Sequence, residues 1–207
     1  MLTTSLSERF GLTLPVVSAG MAFVAGPRLA AAVSNAGGLG VLGGAMAPPE
    51  GLAGLVAATR GLTPRAFGVD LVTPFVEDGH ITVLAQARPA VVVFFWGTPK
   101  QAWIARLQDA GIGRVAEAVE AAASGVDAII AQGSEAGGHN RAEATTMTLL
   151  PAVIRAVAPL PVLAAGGVAD GRALVAVVAM GAEAAWCGTR FLASEEASVI
   201  TGTILDV

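Results

Sequence analysis

Histidine occurs only twice in this chain of 207 residues, at His80 and His139, and the two stand in different company. His139 ends the stretch Gln132-Gly133-Ser134-Glu135-Ala136-Gly137-Gly138-His139, a glycine-rich turn directly after an apolar run. Imidazole is the side chain whose ordinary pKa lies near neutrality, so His139 suits proton transfer; the plain alternative is a loop histidine. His80, in Glu77-Asp78-Gly79-His80, reads as part of a solvated loop before a helix. Gly166-Gly167 close one apolar run, and Gly188-Thr189-Arg190 interrupt another. Glycine lets backbone N–H groups approach an anion, so Gly166, Gly167, Gly188 and Thr189 read as a phosphate cradle, although tight turns also want glycine. Asp70 and Gln132 are polar residues set inside apolar runs. Each needs a hydrogen-bond partner, either a ligand's polar edge or the backbone of the core. Two distant histidines and the single cysteine, Cys187, offer no metal-ligand spacing of a known type. Phe94, Phe95, Trp96 and Trp186 read as core or helix-packing residues and receive no role.

These residues are spaced by an alternation of apolar, strand-like runs and alanine-rich amphipathic runs. Strands are expected over 15–20, 39–44, 66–72, 90–97, 127–133, 161–167 and 184–192. Helices are expected over 27–35, 48–60, 78–87, 99–110, 114–124, 148–157 and 170–180. Strands this continuously apolar are buried on both faces, as in a parallel sheet. Two helices appear in succession around Gly111-Ile112-Gly113, which leaves no room for a strand between them. The expectation is an α/β fold, a (βα)8 barrel, whose fifth strand is missing through residues omitted between Ile112 and Val115. In such a barrel the active site lies at the C-terminal ends of the strands, with phosphate near strands seven and eight, where the glycines and His139 fall.

Composition narrows the function classes. Hydrophobic residues make up 54% and charged residues 14%, which excludes a disordered chain. The formal net charge is −4, and the 12 basic residues are scattered, so no nucleic-acid partner is expected. Mean hydropathy is +0.69, and residues 29–49 carry no charge, yet Gly37-Gly38, Gly43-Gly44 and Pro48-Pro49 break that run, so no membrane span is expected. A lone cysteine and an N-terminus without a secretory pattern fit a cytoplasmic protein. The whole of 1–207 reads as one domain.

Several stretches, in order, carry a family likeness: Val17-Ser18-Ala19-Gly20-Met21, Ala31 through Gly40, Phe67-Gly68-Val69-Asp70-Leu71, Ser134-Glu135-Ala136-Gly137-Gly138-His139, Ala164-Ala165-Gly166-Gly167 and Gly188-Thr189-Arg190-Phe191-Leu192. Over nearly the whole chain the sequence resembles the nitronate monooxygenases, formerly 2-nitropropane dioxygenases. The resemblance implies an FMN-dependent TIM barrel that oxidises alkyl nitronates or nitroalkanes with O₂ to a carbonyl compound and nitrite. It implies that Ala19, Gly20 and Met21 approach the flavin ring. Asp70, Gln132, Gly137, Gly138, Gly166, Gly167, Gly188 and Thr189 complete the cofactor site, and His139 is the catalytic base or substrate-orienting group. The partners are then a small nitro compound and O₂, and a homodimer is compatible with them. FMN-dependent enoyl-acyl-carrier-protein reductases carry nearly the same motifs, and a barrel that binds flavin or phosphate without turnover is a third alternative.

The chain departs from the family pattern in three places. Asp70 stands where the family usually has asparagine, and the fifth strand is not recognisable. The C-terminal segment that covers the site in the family is also expected to be missing, since residues 200–207 do not resemble it.

Overall fold

Runs of valine, isoleucine, leucine and alanine bounded by glycine and proline become the strands of a single parallel sheet. The computed structural model describes residues 2–117 and 119–197. In chain order the elements are α1 (Ser5–Phe10), β1 (Val16–Ser18), α2 (Pro27–Asn35), β2 (Gly40–Gly43), α3 (Pro49–Leu62), β3 (Phe67–Val72), α4 (Asp78–Ala87) and β4 (Val91–Phe95). They continue with α5 (Gln101–Asp109), β5 (Gly113–Glu117), β6 (Ala128–Gln132), α6 (Thr146–Val157), β7 (Val162–Ala165), α7 (Gly171–Ala179), β8 (Ala184–Cys187) and α8 (Thr189–Leu192). The strand order is β1-β8-β7-β6-β5-β4-β3-β2, all parallel. A parallel bridge between Val17 and Leu39 joins the two ends, with Ser18 N donating to Leu39 O over 3.0 Å. The result is the (βα)8 barrel expected from the sequence.

Successive side chains of a strand point to opposite faces, and the core divides accordingly. Val41, Val91, Val93, Val115, Ile130 and Leu163 fill the barrel interior, with Leu6 and the half-buried Phe10 of α1 packed against them. Leu42, Val92, Phe94, Ile129, Val162 and Ala185 face the surrounding helices. Among the described residues no helix is long and apolar enough to cross a membrane.

Three expectations need correction. The fifth strand is present as Gly113–Glu117, paired to β4 through Val91↔Gly113 and to β6 through Ala116↔Ile129. The steric argument for residues omitted between Ile112 and Val115 therefore falls. The alanine-rich run at 114–124 has helix propensity, but pairing on both edges overrides it, and only Val119–Ser124 coils, as a short 3₁₀ helix. Secondly, the run 184–192 is not one strand: β8 ends at Cys187, and past Gly188 the chain turns into α8. Thirdly, His80 is not solvated. It is buried in the first turn of α4, where Nδ1 accepts from Glu77 N at 3.1 Å and Nε2 lies 3.0 Å from Ala47 O, so it ties α4 to the loop before α3. The tail at 200–207 lies outside the described residues.

What holds β5 is a charge pair that sequence patterns do not reveal. Arg114 is buried, and its Nη2 lies 3.0 Å from Asp127 Oδ1 while its backbone N donates to Asp127 Oδ2 over 2.8 Å. Arg114 Nη1 also donates to Ile112 O. Removing one member of such a pair strands the other without a counter-charge. Asp127→Ala is expected to destabilise the protein by about 3 kcal/mol, the low end of the range for broken buried pairs, because Asp127 keeps 24% of its side-chain exposure. Urea unfolding of the two proteins measures this, and an unchanged midpoint would show that β5 is held by other contacts.

Candidate functional site

Of the expected site residues, all but Asp70, which stands inside β3, lie at or past the C-terminal end of a strand, and several are brought into contact. Past β1, the chain Ala19-Gly20-Met21 turns inward beneath the ends of β2, β3 and β8. A Cβ placed on Gly20 would strike the Asp70 side chain, coming within 2.7 Å of Oδ2, so only glycine lets β1 pass over Asp70. Asp70 itself is buried in β3. Gly188 sits where a Cβ would meet Ala19 Cβ at 3.4 Å and Met21 Sδ at 3.6 Å, which places the turn after β8 against the turn after β1.

The loop from β6 to α6 closes the other half. Gly137 lies so near α8 that a Cβ there would sit 2.7 Å from Thr189 Oγ1. Gly166 has φ +113, and its Cβ would crowd Thr146 Oγ1 and Ala136 N, so glycine is required there on both backbone and steric grounds. Gly167 follows with φ +70 and is exposed, and a Cβ there would meet only Glu135 Cβ, at 3.9 Å. Gly137 is thus brought against Thr189, and Gly188 against Ala19 and Met21, at the ends of β6, β8 and β1. Gly138, also in the left-handed region, precedes His139.

The β6–α6 loop is anchored by residues that drew no attention in the sequence. Glu135 Oε2 accepts from Thr146 N at 2.8 Å, tying the loop to the first residue of α6. Thr146 is buried, and its hydroxyl lies 3.1 Å from both Ala165 O and Gly166 O. Asn140 Nδ2 donates to Gly133 O and Ala136 O, and its Oδ1 accepts from Ala142 N. The backbone N–H of Glu135 itself and that of Thr146 hold the Glu135 carboxyl below the usual carboxylate range, outweighing a small desolvation effect.

His139 meets the β4 side of the barrel mouth. Its ring meets the indole of Trp96 edge-on, with centroids 4.7 Å apart and planes at 79°. Trp96 follows β4 with φ +58, a left-handed conformation rare for a bulky residue, and stacks on Phe95. The reading of Trp96 as plain core was therefore mistaken; its one sequence signal is the Trp96-Gly97 pair at a strand end. Gln132, at the end of β6, donates from Nε2 to Gly137 O over 3.4 Å, while its buried Oε1 has no hydrogen-bond partner. Trp96 Nε1 and Thr73 Oγ1 are buried without partners as well. Cys187, in β8, is buried, and burial pushes its thiol up to about 11, so it is a core residue and not a nucleophile. Among the described residues no cluster of three histidine, cysteine or carboxylate side chains could hold a metal ion.

The site fits a flavin nucleotide on two structural grounds. Gly167, at φ +70, has room on its exposed side, the nearest atom to a Cβ placed there being Glu135 Cβ at 3.9 Å, and the buried amide oxygen of Gln132 has no donor. A sequence model of the nitronate monooxygenase family matches residues 3–78 and 75–203. The (3aS,4S,5R,7aS)-5-hydroxy-7a-methyl-1-oxo-octahydro-1H-indene-4-carboxyl-CoA dehydrogenase of Rhodococcus jostii is 43% identical over 204 residues, covering 96% of this chain and 57% of its own length. The chain thus spans less than three fifths of that relative. A nitronate monooxygenase of Paraburkholderia phytofirmans is 34% identical over 250 residues, covering 96% of this chain and 68% of its own. The solved structure of FabK from Thermotoga maritima superposes with a TM-score of 0.88 at 37% identity, over 95% of this chain and 65% of that one.

The Glu135 anchor makes a pH-dependent prediction. A carboxyl whose pKa is lowered on folding stabilises the protein above its unfolded pKa, about 4.3, and the contribution is lost as pH falls through the lowered folded value. Glu135→Gln is expected to lower the Tm at neutral pH, and the gap to wild type should close in acid, below the usual carboxylate range. Thermal melts of both proteins from pH 7 downward test this; a gap independent of pH would mean that the carboxylate charge contributes nothing.

Proposed function

Because the chain belongs to the nitronate monooxygenase family, we propose that it is a flavin-dependent oxidoreductase that oxidises alkyl nitronates, or their parent nitroalkanes, with O₂. Two nitronate anions and one O₂ balance to two carbonyl compounds and two nitrite ions, each C=N bond giving way to C=O. Bound FMN supplies the electron acceptor and the place where O₂ reacts. The protein's share is placement and proton handling. In this reading the N–H groups of Gly166, Gly167, Gly188 and Thr189, with Gly137 and Gly138 alongside, hold the phosphate. Ala19, Gly20, Met21, Asp70 and the unpaired oxygen of Gln132 meet the ring system and its polar edge.

The observation that carries the proposal is the position of His139. It is exposed on the β6–α6 loop past the strand ends, and its ring is set against Trp96 on the β4 side, whereas Gly137 of the same loop meets Thr189 on the β8 side. A histidine so placed serves the substrate and not the phosphate. With a neutral nitroalkane it removes the α-carbon proton; with a preformed nitronate that proton is already gone and only orientation remains.

A second reading has its own support. The Rhodococcus jostii relative, named for a carboxyl-CoA substrate, is more similar to this chain than the nitronate monooxygenase of Paraburkholderia phytofirmans, at 43% against 34% identity. Oxidation or reduction of an acyl thioester, with NAD(P)H as the electron source in the enoyl-reductase variant, would use the same cradle. Rapid reduction of the bound flavin by NAD(P)H favours that reading, and reduction only by nitronate favours the first.

Two outcomes are expected. His139→Ala keeps its FMN but loses about 10²–10⁴-fold in kcat/KM with neutral nitroalkane, and much less with nitronate. Steady-state rates for both substrate forms at matched flavin occupancy measure this, and equal rates for mutant and wild type on both would return His139 to the loop. Gly167→Val adds a branched side chain on the exposed side and strains a backbone held at φ +70, so the purified variant should carry little flavin. Released FMN, read by absorbance after denaturation, is the measurement, and wild-type content would place the phosphate elsewhere.

A further inference from the structure

Beyond His139, the strand-end face carries a cation that neither the cofactor site nor the scaffold uses. Arg141 is exposed, and its guanidinium carbon lies 5.4 Å from the centroid of Trp96, the same ring that His139 meets edge-on at 4.7 Å. Among the described residues Arg141 makes no ion pair and donates no hydrogen bond; the one ion pair there is Arg114–Asp127. Glu143, two residues along, does not pair with it, and the Glu135 carboxylate is turned to Thr146. Lys100, on the β4–α5 loop, is held over the Trp103 ring at 4.5 Å.

Arg141 is also held in place. Asn140, the residue before it, is tied through its side chain to Gly133 O, Ala136 O and Ala142 N, so the loop around Arg141 is closed on itself. Trp96 keeps φ +58 and stacks on Phe95, the kind of backbone strain that persists where the surroundings fix it. Two loops from different strands thus present one tryptophan with a histidine on its edge and a guanidinium over its ring. A guanidinium has five donors in a planar fork, a match for two oxygens of a planar anion. A protein of formal net charge −4 repels small anions overall, so recognition of one depends on a local cation.

We propose that Arg141 recognises the substrate: its guanidinium binds the two oxygens of a planar anionic group, the nitronate form of the substrate, and holds the adjoining carbon beside His139. The inference rests on the nitronate reading of the site and adds that the anion is selected over the neutral nitroalkane. Arg141 positions the oxygens, and His139 handles the proton.

Isobutyrate, a two-oxygen anion on a branched carbon, mimics the nitronate of 2-nitropropane without reacting, and isobutyramide has the same shape without the charge. Calorimetric titration of the flavin-loaded wild type, Arg141→Gln and Arg141→Lys with each ligand tests the proposal. Arg141→Gln should raise the Kd for isobutyrate roughly tenfold, as loss of a charge-assisted hydrogen bond does. Arg141→Lys should recover part of the loss, and isobutyramide should bind all three proteins alike. A wild type that does not bind isobutyrate, an unchanged Kd in Arg141→Gln, or equal weakening of acid and amide would overturn it, the last by reducing Arg141 to a support for Trp96. Dependence on Arg141 for inorganic phosphate and not for isobutyrate would also overturn it. Absence of nitronate turnover by the wild type is a separate result, and it bears on the reaction and not on the anion site.

Discussion

Closure of the ring at β1 is the constraint on which the rest of this structure depends. β1 is three residues long, yet it must complete the hydrogen bonding of β8 on one side and meet β2 on the other. Ala185 N donates to Pro15 O, Ala19 N to Cys187 O, and Ser18 N to Leu39 O. A parallel pair leaves unpaired edges unless the sheet closes, and a closed barrel removes them. The same bonds carry Ala19-Gly20-Met21 across the mouth, so ring closure and assembly of the candidate site are one event. Gly20 is the joint between them, since any larger residue would force β1 away from Asp70.

The β6–α6 loop is the second device, and its logic is electrostatic where ring closure is geometric. A long glycine-rich loop on a barrel rim is costly to order. Here Glu135 accepts from the N–H of Thr146 at the start of α6, Thr146 reaches under the loop to β7, and Asn140 folds the remainder back on itself. Three side chains fix a segment that contains Gly137, Gly138 and His139. The loop thereby faces both ways: Gly137 lies by Thr189 on the β8 side, and His139 lies by Trp96 on the β4 side.

Much of this was legible in the sequence, and what was not has physical causes. Seven strands could be read because their runs are mostly apolar and lie close to glycine or proline. The fifth could not, because Gly113-Arg114-Val115-Ala116-Glu117 holds two charged residues and is followed by alanines, and its stability comes from pairing on both edges and from Asp127, thirteen residues downstream of Arg114. His80 looked solvated because its neighbours are polar, whereas its burial depends on Ala47, from a different βα unit. The glycine positions and His139 were readable because backbone chemistry and imidazole chemistry are properties of single residues. Trp96, Arg141 and Asn140 were not, because their arrangement exists only once two loops from different strands meet.

In the proposed reading, the barrel separates two tasks that a flavin site must combine. Around β7, β8 and β1, glycines bring backbone close together, with little room for side chains and little that could differ between substrates. Around β4 and the β6–α6 loop, large side chains with charge or aromatic character face the opening. The first half suits a group common to a whole family, and the second suits whatever distinguishes one substrate from another. Relatives named as a monooxygenase and as a dehydrogenase share this frame at 34% and 43% identity. A common frame with different reactions follows if electron transfer belongs to the cradle half and substrate choice to the loops. In the proposed reading, the residues that decide the substrate are then to be sought around Trp96, His139 and Arg141, and not among the glycines by which the family is recognised.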